Sequence, residues 1–185
     1  MLRIPFVTVE ALFAALWLLC RAAVWLKNGR IDRKREAVLL LMYMNLAVIL
    51  RFTFFPMALA DGRVQPLLFS AASVFPLRVN LIPIVKLFQY RSRRVMLINA
   101  VGNFALFVPS GFLLPLVYKR LDGFGKTVGA AALLSLGIEL LQLPFSVRAS
   151  DVDDLILNTL GAAFGFGLYA LLRAVWRKKR RRGRD

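Results

Sequence analysis

DVDDLILNTLGAAFGFGLYALLRAVWRKKRRR, residues 151–182, decides how the rest of the chain is read. Three acids, Asp151, Asp153 and Asp154, open it; an apolar run from Leu155 to Leu172 follows, and a basic cluster closes it. A helix needs about 20 mostly apolar residues to bridge the hydrocarbon layer of a bilayer, and this run has that length. Bases placed directly after an apolar helix mark the cytoplasmic side of a membrane protein. A nucleic-acid reader carries them on a soluble module instead. The formal net charge of +16 therefore speaks for a membrane, and no nucleic-acid partner is expected.

Working outward, the composition agrees. Hydrophobic residues make up 59% of the 185 and the mean hydropathy is +0.64, where soluble domains run about 45–50% apolar. Besides 154–175, the stretches 6–26, 37–60, 95–118 and 127–145 have the length and apolarity of spans. The expected fold is an all-α integral membrane bundle of about five transmembrane helices. Between the second and third, NLIPIVKLFQY (80–90) is amphipathic and too short to cross, which predicts a re-entrant or interfacial segment. The chain divides into an N-terminal helix with a basic loop (1–36), a membrane domain (37–175) and a basic tail (176–185).

Loop charges orient the bundle. Lys27, Arg30, Arg33, Lys34 and Arg35 follow the first span; Lys119, Arg120 and Lys126 follow the third; Arg173 and the cluster from Arg177 to Arg184 end the fifth. These fall on one side of a five-span bundle, which predicts a cytoplasmic C-terminus and an external N-terminus. Segment 61–94, with Arg63, Arg78, Lys86, Arg91, Arg93 and Arg94, then lies outside, against a rule that weakens for long loops. The single cysteine, Cys20, excludes an intrachain disulfide, and the absence of histidine removes the commonest general base and zinc ligand. No metal and no cofactor is expected.

An ionisable group at the bilayer centre costs about 2.5–3.5 kcal/mol on insertion scales, so it faces protein or water and takes a partner. Arg51 in the second span and Glu139 in the fourth are the clearest cases, at depths that let them meet. Polar residues also recur at helical spacing. Asn99 and Asn103 share a face, with Gly102 admitting close approach, and Pro109 and Gly111 break or kink that helix further on. Ser135, Glu139 and Gln142 form a second stripe. Asp151, Asp154, Asn158, Gly161 and Gly165 form a third, ending in a GxxxG spacing for tight helix contact. Asp153 falls off that stripe and is assigned to a cap or to solvent. Two readings fit: interhelical hydrogen bonds with helix caps, or a bundle with a polar interior that binds something.

Five pieces in series resemble the VanZ-like family of bacterial membrane proteins, named for a teicoplanin-resistance accessory protein. They are Thr53-Phe54-Phe55-Pro56; Arg78-Val79-Asn80-Leu81-Ile82-Pro83; Asn99 through Gly102, Asn103, Phe107 and Pro109 to Gly111; Ser135-Glu139-Gln142; and Arg148 through Asp151, Asp153, Asp154, Asn158 and Gly161 to Gly165. Ile84 stands where the pattern has an aromatic. The resemblance implies a role at the cell envelope, including lower susceptibility to lipid-bearing glycopeptides such as teicoplanin. On that reading Arg78, Asn80, Asn99, Asn103, Glu139, Gln142, Arg148, Asp151, Asp154 and Asn158 line a polar site in the outer half of the membrane. Gly102, Gly111, Gly161 and Gly165 pack the helices around it. The two arginines, Arg78 and Arg148, suit a phosphate or carboxylate. Expected partners are membrane lipids and a lipid-linked envelope intermediate or glycopeptide. The alternative is a membrane enzyme acting on a phospholipid or polyprenyl-linked intermediate. It is the weaker reading, because no nucleophile–base pair and no clean metal-binding spacing stands in the sequence.

Overall fold

The computed structural model describes residues 2–55, 59–60, 62–70, 79–80, 82–83, 92–145 and 150–182. Its elements are dominated by five helices: α1 (Phe6–Asn28), α2 (Arg33–Phe54), α3 (Arg93–Val117), α4 (Phe124–Gln142) and α5 (Val152–Arg182), with a 3-10 turn at Lys119–Leu121. All five are long and apolar enough to cross a membrane, so the protein is a nearly all-helical membrane protein. Large apolar side chains stay exposed on them, among them Leu16, Leu19, Leu133, Leu141 and Leu171, each above 60%. In water such a surface is an aggregation liability; against lipid tails it costs nothing. The re-entrant or interfacial segment expected over 80–90 lies, apart from Asn80, Ile82 and Pro83, outside the described residues.

Two helix ends differ from expectation by more than a few residues: α5 runs on to Arg182, not 175, and the second span stops at Phe54, not at 60. Pro56 disfavours helical dihedrals in the residue before it, and Phe55 is extended at φ −101°, ψ 140°. Conversely, Pro109 does not break α3, which runs on through Pro109 and Pro115 to Val117. A membrane helix tolerates the lost hydrogen bond where neighbouring helices support it. Gly111, expected to weaken the same stretch, is instead a packing position, described below.

Among the described residues six short strands lie outside the helices: β1 (Leu2–Ile4), β2 (Leu59–Ala60), β3 (Arg63–Val64), β4 (Leu67–Phe69), β5 (Val79–Asn80) and β6 (Ser150–Asp151). They pair two by two. Segments of two or three residues carry no periodicity, so the sequence held no signal for them.

The chain divides into two compact units: Met1–Pro83 with Leu136–Val152, and Ile84–Ser135 with Asp153–Asp185. In the first, α1 and α2 form a hairpin. Gly29 adopts the left-handed conformation (φ 63°) and its N–H returns to Trp25 O at 2.9 Å to close α1. Asp32 caps α2 by accepting from the N–H groups of Lys34 and Arg35, as an N-cap aspartate does. The hairpin is fastened by Arg21, which donates from Nε and Nη2 to the two oxygens of Glu36 at 3.0 and 2.5 Å, and by Tyr43, whose ring lies 5.4 Å from both Phe13 and Trp17.

At the other end of this unit the connecting segments converge. β1 pairs antiparallel with β4, Leu2 opposite Phe69 and Ile4 opposite Leu67. Ser70 N–H donates to Pro144 O at 3.0 Å, and Phe145 meets the edges of Phe54 and Phe69. β5 runs parallel to β6, Asn80 opposite Asp151. Residues 2–4, 62–70, 79–80, 143–145 and 150–151 therefore share one end.

In the second unit α3 and α5 close until their backbones touch. A Cβ at Gly161 would lie on the Phe104 carbonyl, one at Gly165 on the Val108 carbonyl, and one at Gly111 on the Ala162 carbonyl. Gly102, grouped with these on sequence, meets nothing within 4 Å. Nine residues separate it from Gly111, which at about 100° per residue puts it on the opposite side of the helix. Aromatic pairs Phe104–Phe164 and Phe112–Tyr169 fill the space beside the glycines.

Candidate functional site

The first polar cluster belongs to the first unit and is built at the C-terminal end of α4. One helical face there carries Glu139 and Gln142, 4% and 5% exposed. Gln142 Nε2 donates to Thr53 O at 2.6 Å. Thr53 stands in the last turn of α2, where carbonyls lack helical partners, and its own hydroxyl donates back to Ile49 O at 2.8 Å. The Gln142 amide thus replaces a partner that the Pro56 stop removed.

Glu139 accepts a hydrogen bond from Asp151 N–H at 2.8 Å. The Asp151 carboxylate, itself buried, accepts from Asn80 Nδ2 at 3.0 Å, and Asn80 Oδ1 accepts from Ile82 N–H at 3.3 Å. The parallel register of β5 and β6 sets this arrangement, because it places Asn80 directly opposite Asp151. Two acids are consequently buried in this cluster, in a chain with only ten acids.

The second cluster belongs to the second unit. Asn103 Nδ2 donates to Asp154 Oδ1, joining α3 to the first turn of α5. Asn158, one turn further on, is 2% exposed and donates from Nδ2 to Ser135 Oγ at 2.8 Å. Its Oδ1 is buried and has no hydrogen-bond partner among the described residues. Asn99 is half-buried in α3, one turn before Asn103. Arg78 and Arg148 lie outside the described residues.

Of the two assignments of Asp153, a cap or solvent, the second does not hold: it is 5% exposed, in the first turn of α5. Two neighbouring acids cannot share one helical face, so Asp153 is buried on a different side from Asp154. Arg51 donates to Phe55 O at 3.3 Å and lies over the rings of Phe6 and Phe52. A third constellation escaped the sequence reading. Asp122, the acid of the basic turn KRLDGFGK, accepts from the Tyr169 hydroxyl at 3.1 Å and binds Arg173 Nη1 through both oxygens at 2.5 Å. The signal was a single acid among bases. Among the described residues no three Cys, Asp or Glu side chains gather closely enough to hold a metal ion.

Five apolar helices with buried carboxamides and carboxylates define a multi-pass membrane protein whose polar groups are directed inward. The chain belongs to the VanZ/LLP1 family, whose family model matches residues 5–173. Protein VanZ of Enterococcus faecium is 35% identical over 107 residues, a region covering 53% of this chain and 64% of that protein. This chain thus aligns with less than two thirds of that relative's length. No solved structure matches.

Proposed function

We propose that the protein acts at the bacterial cell envelope as a non-enzymatic binding protein that lowers susceptibility to lipid-bearing glycopeptides of the teicoplanin type. The observation that carries this reading is the burial of Glu139 against Asp151. Neutral groups of the same volume serve stability as well as or better than buried charge, and an ionisable residue kept inside a membrane protein points to function. The resemblance in sequence to Protein VanZ supports the same direction.

The topology proposed with it is N-terminus outside and C-terminus in the cytoplasm, following the bases of the tail. The end of the first unit that holds β1, β4 and the β5–β6 pair then faces outward, and Glu139, Gln142, Asn80 and Asp151 meet ligands from that side. The acyl chain of a glycopeptide partitions into lipid, and its amine and amide donors reach the carboxylates. Charge-assisted bonds of this kind are roughly twice as strong as neutral ones.

The test is expression of wild type and Glu139→Gln in a susceptible host. Glutamine keeps an acceptor for Asp151 N–H and removes the charge. Wild type is expected to raise the inhibitory concentration of teicoplanin, and Glu139→Gln to abolish that rise at equal membrane abundance. Unchanged teicoplanin and vancomycin susceptibility with wild type would refute the resistance reading. A lipid species altered by wild type and not by Glu139→Gln would favour the membrane enzyme.

A further inference from the structure

The basic end of α5 belongs to neither polar cluster and carries its own structure. An open cavity of about 560 Å³ runs along one face of the helix, lined by Phe166 and Tyr169 at one end and by Arg173, Arg177, Lys178 and Arg181 at the other. Phe166, Tyr169, Arg173, Arg177 and Arg181 recur every three or four positions and so share a face, with Lys178 at its edge. We propose that this groove binds an anionic phospholipid, its phosphate held by the arginines and lysine and its acyl chain lying along Phe166.

Three observations carry the assignment. The first is charge: every ionisable side chain in α5 from Arg173 onward that is not apolar or aromatic is basic, and crowded cations on one face are relieved by an anion. The second is a prepared guanidinium. Arg173 Nη1 is fixed by Asp122 and lies 3.2 Å from the Tyr169 hydroxyl, and the ring of Tyr169 lies beneath it at 5.8 Å. Arg173 thus stands oriented at the boundary between the aromatic and the basic parts of the groove. A solvated tail holds no such geometry.

The third is depth. Phe166 and Arg173 are seven residues apart, about 10 Å along a helix, within one leaflet's share of a hydrocarbon core about 30 Å thick. Trp176, 68% exposed on the same helix, is the residue type that settles at the membrane interface. A free anion needs no apolar wall; a phospholipid needs both halves. Basic pockets at the membrane surface take acidic headgroups in this way.

The experiment is native mass spectrometry of the full chain in detergent micelles, titrated with phosphatidylglycerol or phosphatidylcholine. A first phosphatidylglycerol adduct is expected at a concentration roughly tenfold below that for phosphatidylcholine. Arg177→Gln/Lys178→Gln/Arg181→Gln should erase the difference while leaving the helical content unchanged. Replacement of the same three positions among arginine and lysine, which keeps the charge, should retain it. Equal adducts for both lipids with wild type would overturn the proposal, and so would displacement of the bound lipid by excess glycerol phosphate, which would make the groove a site for soluble anions.

Discussion

Glu139 shows how one side chain can hold the fold and carry charge, and how the two roles are separated. Its carboxylate accepts from Asp151 N–H at 2.8 Å. Glu139→Leu leaves that N–H unpaired, which costs about 1–3 kcal/mol, so a clear fall in thermal stability in detergent is expected. Glu139→Gln keeps an acceptor and should melt close to wild type; an equal fall for both variants would contradict the bond. The glycines make a second contrast. Gly161→Ala drives a methyl into the Phe104 carbonyl, and overpacking of this kind costs about 1–3 kcal/mol. Gly102→Ala enters open space and gains about 0.5–1 kcal/mol of helix propensity. Melting temperatures of the two variants should move in opposite directions; a matching shift would mean that α3 and α5 do not close at Gly161. The GxxxG spacing was legible in sequence, whereas the place of Gly102 was not, because helical angle says which residues share a face and not which face meets a neighbour.

Among the elements, α1 is the least embedded: none of its residues is buried. It is attached to α2 by one turn and by a few side chains. The Arg21–Glu36 pair is chief among them, its side chains 13% and 19% exposed. A double-mutant cycle with Arg21→Met and Glu36→Gln should return a coupling of about 1 kcal/mol in detergent unfolding. Simple additivity would show the pair to be idle, as many solvent-exposed pairs are. The helices themselves were legible, and their starts to within a few residues, since their apolar length has no soluble alternative. The end that moved by local chemistry is that of α2, stopped by Pro56; inside α3, packing carries the helix on through Pro109.

At the scale of the molecule, the strand pairings bear on topology. β1 with β4 and β5 with β6 gather residues 2–4, 67–69, 79–80 and 150–151 at one end of their unit. A reporter fused after Arg148 and one fused near residue 65 should therefore read the same side, and one fused after Arg182 the other. Under the proposed orientation the first two are extracytoplasmic. A split between the first two would overturn the pairing; a cytoplasmic reading for both would reverse the orientation alone.

Composition, the length of the apolar runs and the placement of bases were enough to determine a membrane protein with the five spanning-length helices found among the described residues, because the bilayer imposes one length and one polarity on any segment that crosses it. The family was also legible, in motifs spread along the chain. What only the tertiary structure decided is which polar groups meet: Glu139 with the backbone of Asp151, Gln142 with Thr53, Asn80 with Asp151, and Asp122 with Arg173. These contacts join residues far apart in sequence through short strands and turns that carry no periodic signal. A hydrogen bond depends on distances of a few tenths of an ångström, and a helical pattern supplies only a direction.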